Sequence, residues 1–151
     1  MKPQFDTLID LAKKRCDEAG QRLGAVMTQA RDSEYKCGTL AAYRDDYRSR
    51  LENATRAGVA AADLRNFQGF LAKLDEAVQL QSAESEHWRQ TVETARNLWQ
   101  EEQKRMRSYS LIQQRRREVE SRKATRQEQK QQDEIAARPS AIRGMQFAPG
   151  H

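Results

Sequence analysis

Proline is absent from residues 4–138, since the only three in the chain are Pro3, Pro139 and Pro149. At average usage of about 5%, a stretch of that length would hold roughly seven. Proline deletes a helical hydrogen bond and clashes with the preceding turn at about 3 kcal/mol, so its exclusion marks long uninterrupted helix. Long apolar runs are absent as well. No segment approaches the ~18 uncharged apolar residues of a membrane span. The N-terminus, where Lys2 is followed by Asp6 and Asp10, lacks the pattern of a secretory signal. A soluble, cytoplasmic protein is expected.

Cysteine and histidine are scarce. Cys16 and Cys37 lie 21 residues apart, about 30 Å along one helix, which is beyond disulfide reach. They read as reduced packing residues. His87 and His151 stand beside no cysteine at metal-ligand spacing, and no glycine-rich phosphate loop occurs. His87 reads as a helix residue flanking Trp88, and the carboxylate pairs Asp45-Asp46 and Glu101-Glu102 as polar-face residues. A rod of two helices offers no concavity in which burial could tune a nucleophile or base. A non-enzymatic protein without cofactor or metal is therefore expected.

What is present is charge and helix-forming residues: 32% charged against 37% hydrophobic, with a mean hydropathy of -1.01. That is the profile of a coiled coil. Through residue 57, apolar or small residues recur every seven positions in two series. One runs Ile9, Cys16, Leu23, Ala30, Cys37, Arg44, Leu51, and the other Phe5, Ala12, Ala19, Val26, Ser33, Leu40, Tyr47, Ala54. From Leu64 the series are Leu64, Leu71, Val78, Ser85, Val92, Trp99, Met106 and Phe67, Leu74, Gln81, Trp88, Ala95, Glu102, Tyr109. Several members of the first pattern are small, and the big residues sit in the second.

Between them, Gly58 can adopt the left-handed helix-ending conformation and Asp63 can cap a following helix. The expected fold is all-α, a long antiparallel two-helix coiled-coil hairpin with a turn near 57–63. Its helices are expected over 4–57 and 63–137, joined by the turn at 58–62, with a flexible tail over 139–151. In an antiparallel seam, facing residue numbers share a constant sum, here about 118 for a turn centred near 59. Under that register Ala30 meets Trp88, Ala19 meets Trp99, Ala12 meets Met106, Leu23 meets Ala95 and Leu51 meets Phe67. Small faces large, which fills the space between helices. A register shifted by one heptad would set Ala30 on Ala95.

The same arithmetic exhausts the first helix opposite residue ~113. The apolar pattern ends there, after Tyr109, Leu111 and Ile112, and from Gln113 to Glu134 only Val119 and Ala124 are apolar. Residues 113–151 hold nine basic against five acidic side chains, most of the chain's net +5. Such an excess can attract an acidic protein, nucleic acid or anionic lipid.

A more specific feature lies near the turn. Tyr43 and Phe70 occupy positions flanking the seam where charged residues are usual, and antiparallel packing sets both on one edge. Ala77 continues that row, while Leu40, Tyr47 and Leu74 supply the adjoining seam. The opposite edge carries Arg48, Gln68, Asp75 and Ser82. An aromatic edge on a bare hairpin points to protein docking.

The ordered features Tyr43-x-x-x-Tyr47, the Ala57-Gly58 turn, the run from Phe67 through Phe70, Leu71 and Leu74 to Ala77, the later Ala95-Arg96-x-x-Trp99 and the ending Glu128-Gln129-Lys130-x-x-Asp133-Glu134 resemble the FliJ family of flagellar export proteins. The resemblance covers nearly the whole chain. It implies a coiled-coil stalk of the flagellar type III export apparatus that docks into the export ATPase ring (FliI), contacts the export gate (FlhA) and escorts export chaperones. Location at the cytoplasmic face of the inner membrane, held through partners, is implied too. Carried over residue by residue, the gate-contacting patch falls on Leu40, Tyr43, Tyr47, Phe70, Leu74 and Ala77. Gln81 stands where some members have histidine. The alternatives are a stalk protein of a virulence type III system, of similar architecture, and a nucleic-acid-binding coiled coil that uses the basic segment after residue 113.

Overall fold

The computed structural model describes the backbone of residues 2–146 and the side chains of residues 4–138. It consists of two helices, α1 (Lys2–Ala57) of 56 residues and α2 (Ala61–Gln146) of 86 residues. By compactness the chain divides into two units, Met1–Arg105 and Met106–His151.

The first unit is the helical hairpin. Every seam position expected from the heptad spacing between Phe5 and Glu102 is buried or half-buried. Ile9, Cys16, Ala19 and Val26 of α1, with Leu74, Val78 and Ala95 of α2, are among the most buried apolar residues. Two helices alone leave many seam residues partly open, and among the described residues no large side chain is wholly enclosed. Stability therefore accumulates over many partly buried layers instead of one thick core.

The register is fixed by a polar layer. Ser33 Oγ and Ser85 Oγ lie 2.9 Å apart in the buried seam, and their residue numbers sum to the expected 118. Gln81 Nε2 donates to Ser33 Oγ at 2.9 Å. Trp99 differs in detail from its expected partner Ala19. Its indole lies against Gly20, where a Cβ would come within 3.2 Å of Nε1. An indole is wider than one residue's footprint, so a glycine beside the alanine supplies the room.

At the turn Gly58 has φ +83°, and among the described residues it is the only one with positive φ. Its N–H donates to the Thr55 carbonyl at 3.3 Å, closing α1. The expectation that Asp63 caps α2 is corrected. Leu64 N–H donates to the Ala60 carbonyl at 3.0 Å, so the helix starts at Ala61 and Asp63 sits within its first turn. Alanines 60–62 are the best helix formers and draw the start forward, while the Asp63 carboxylate still complements the helix N-terminus.

In the second unit Met106, Tyr109 and Gln113 are half-buried, and residues 114–138 are exposed throughout. The helix was expected to stop at 137. Instead it passes Pro139 and ends at Gln146. Proline's fixed φ near -65° is itself helical, so a single proline removes one hydrogen bond without ending the helix. The rest of the expected tail, residues 147–151, lies outside the described residues.

Candidate partner-binding surface

The heptad pattern gives the hairpin two edges of different chemistry. On one, charged residues flank the seam and pair between helices. Arg48 Nη2 reaches Asp75 Oδ1 at 3.3 Å, and Arg89 Nε reaches Glu34 Oε1 at 3.1 Å. Arg44 occupies a seam position yet turns its guanidinium outward, with Nη2 3.1 Å from Asp45 Oδ1 and Nε 3.6 Å from Asp75 Oδ1. Burying its stem while placing the charge in water is the usual compromise for a long cation in a seam. The Glu34 hydrogen bond, then its charge, raises the pKa of Arg89 by favouring the charged guanidinium.

The opposite edge carries aromatics. Tyr47, half-buried in the seam, meets Phe70 edge-on with ring centroids 4.8 Å apart, and Phe67 at 5.7 Å. These separations suit the ring quadrupoles and fix three aromatics as one cluster. Phe70 remains 41% exposed and Tyr43 52% exposed. Leu40 and Ala77 are half-buried. Leu74, at 8% exposure, supports this edge from within the seam and offers little surface of its own. The six residues singled out from sequence thus divide into an exposed pair, three half-buried neighbours and a buried support. Phe67, assigned from its spacing to the seam alone, proves to be a buttress of the cluster as well. Its position relative to Tyr47 in the antiparallel register is the signal that could have revealed it.

Elsewhere the hairpin presents shallow grooves. One of about 410 Å³ is lined by residues including Arg22, His87, Thr91, Ala95 and Leu98. His87 lies edge-on to Trp88 at 5.8 Å, as its place in the sequence suggests. Cys16 is buried and Cys37 half-buried, and both are free thiols. Among the described residues no group of three or more His, Cys, Asp or Glu side chains is placed to hold a metal ion. No helix there is long and apolar enough to cross a membrane.

The surface is suited to recognition. It provides two partly exposed aromatics on a rigid helical edge, backed by packed rings that limit their entropy loss on binding. Comparison with known proteins adds the context. The family model described as flagellar FliJ protein matches residues 1–144. The flagellar FliJ protein of Salmonella typhi is 30% identical over 134 residues, covering 89% of this chain and 91% of that protein. The flagellar FliJ protein of Escherichia coli (strain K12) is 30% identical over 132 residues, covering 87% and 90%.

Proposed function

The chain belongs to the FliJ family of flagellar export components, and from that premise we propose that it acts as a non-enzymatic coiled-coil stalk whose aromatic edge binds the export gate. The observation that carries this reading is the exposed pair Tyr43 and Phe70 beside the packed ring of Tyr47. Charged residues would ordinarily hold those flanking positions, as they do on the other edge. Aromatic rings left there cost solubility, and a partner that covers them accounts for their presence.

The mechanism follows from rigidity. Partner binding at the tip orders few new degrees of freedom, because Phe67, Tyr47 and Phe70 already brace one another. The first turns of α1 and the basic segment after residue 113 are the parts this reading assigns to the export ATPase ring. Escort of export chaperones belongs to the same proposed role.

The test is binding of the purified gate protein to the full chain and to Tyr43→Ala. That variant should weaken binding by about 30-fold, the scale of a 2 kcal/mol aromatic anchor. Its melting curve should stay close to wild type, because the Tyr43 ring is half in water. Loss of folding with binding retained would make this edge a structural element and reject the reading. For the ATPase, a pull-down comparing the full chain with a chain ending at Ile112 should show loss on truncation. Equal capture of both would remove the basic segment from that role.

A further inference from the structure

The charges of the second unit are sorted by face. At 3.6 residues per turn, Arg115, Arg122, Lys123, Arg126 and Lys130 fall within an arc of about 100° on α2. Ile112 and Val119 fall in the same arc, Val119 near its midline. Between residues 112 and 132 no carboxylate enters it, since Glu118, Glu120 and Glu128 lie on the remaining circumference. Asp133 returns to the arc and marks its end. The stripe runs about 27 Å along the helix.

Residues 114–138 are all exposed, and the five cations engage no carboxylate among the described residues. That contrasts with Arg48 and Arg89 of the hairpin, each held by a carboxylate of the other helix. A row of uncompensated cations on a single helical face calls for an anionic surface opposite it.

We propose that this stripe is a docking face for an anionic phospholipid surface, on which this part of α2 lies with Val119 toward the headgroups. Charge complementarity sets the sign of the partner, and the apolar midline sets its kind. Ile112 and Val119 are 40% and 48% exposed. Aliphatic side chains at the centre of a basic face enter a headgroup layer, whereas a base-reading helix places Arg, Asn or Gln there. A protein groove would demand apolar anchors at successive turns, and only residues 112 and 119 supply them here. A gently curved arc of cations with few anchors matches a plane. This inference uses no residue of the hairpin and is independent of the gate assignment; it shares the segment after residue 113 with the ATPase assignment, and the vesicle experiment, which contains no ATPase, tests the lipid contact by itself.

The experiment is co-sedimentation of the full chain with vesicles of phosphatidylglycerol and phosphatidylcholine in equal parts, against vesicles of phosphatidylcholine alone. Binding should require the anionic lipid and be released by 0.5 M salt. Each basic residue near such a surface multiplies partitioning about fivefold. The variant Arg115→Gln/Arg122→Gln/Arg126→Gln/Lys130→Gln should therefore lose on the order of several hundred-fold, with helix content by circular dichroism unchanged. Arg117→Gln, on the opposite side of the helix, should match wild type. No binding to the anionic vesicles overturns the proposal. So does binding that survives the fourfold substitution, or an Arg117→Gln loss equal to that of Arg122→Gln, which would reduce the effect to net charge. Tight binding to a duplex oligonucleotide at the same salt, with vesicles left unbound, would replace it with nucleic-acid binding.

Discussion

Single residues set the hairpin's register and its weak points. Ser33 accepts from Gln81 and shares a hydrogen bond with Ser85 inside the seam, so each hydroxyl is satisfied only when the helices are correctly aligned. Ser33→Ala should lower stability by about 1–2 kcal/mol in urea denaturation, because it leaves Gln81 and Ser85 short of a partner. Adding Ser85→Ala should cost less than its own single substitution, since the two share one bond. Glu102 behaves oppositely. Its side chain is 13% exposed, and Oε1 holds Arg105 at 3.4 Å. The other oxygen, Oε2, is buried without a hydrogen-bond partner. Glu102→Leu should raise stability by about 1 kcal/mol, visible as a higher urea midpoint, because a desolvated acceptor is replaced by an apolar chain of similar size.

At the scale of the helices, glycine tests packing against propensity. A Cβ at Gly24 or Gly38 would meet nothing within 4 Å, whereas at Gly20 it would meet the Trp99 ring. Gly24→Ala and Gly38→Ala should each stabilise the chain by roughly 0.5–1 kcal/mol, measured as a rise in melting temperature. Gly20→Val should lower it, because the indole cannot yield to a branched side chain. The helices and their pairing were legible because a seven-residue repeat over many turns is a strong signal, and small-against-large matching chose one register. Ser33 facing Ser85 follows from the same arithmetic. The end of α1 at Ala57 was legible from Gly58, whereas the two ends of α2 were not. Whether Asp63 caps α2 or sits inside it depends on a few tenths of a kcal/mol between neighbouring starts, which the alanines before it decide. Pro139 reads in sequence as a stop, yet one lost hydrogen bond does not outweigh the helix on either side. For the candidate surface, spacing alone put Tyr43 and Phe70 on one edge. It carried no information on ring orientation, so the contact of Phe70 with Tyr47 and the freedom of Tyr43 appear only in the structure.

Across the molecule, the proposed roles require that covering a surface and holding the fold be separable. Tyr43→Ala should act on gate binding alone. Phe70→Ala should act on both, with a modest loss of stability of about 0.5–1.5 kcal/mol from the broken ring pair, detected by parallel binding and melting curves. Both expectations, and the division of the hairpin into a charged and an aromatic edge, follow from one register of α1 against α2. Its most direct test is a cysteine cross-link in a chain freed of its own thiols by Cys16→Ala and Cys37→Ala. Ser33→Cys with Ser85→Cys should close an intramolecular disulfide readily under mild oxidation. If that pair stays reduced while Ser33→Cys with Val92→Cys, its match one heptad away, cross-links instead, the register and the edge built on it are wrong.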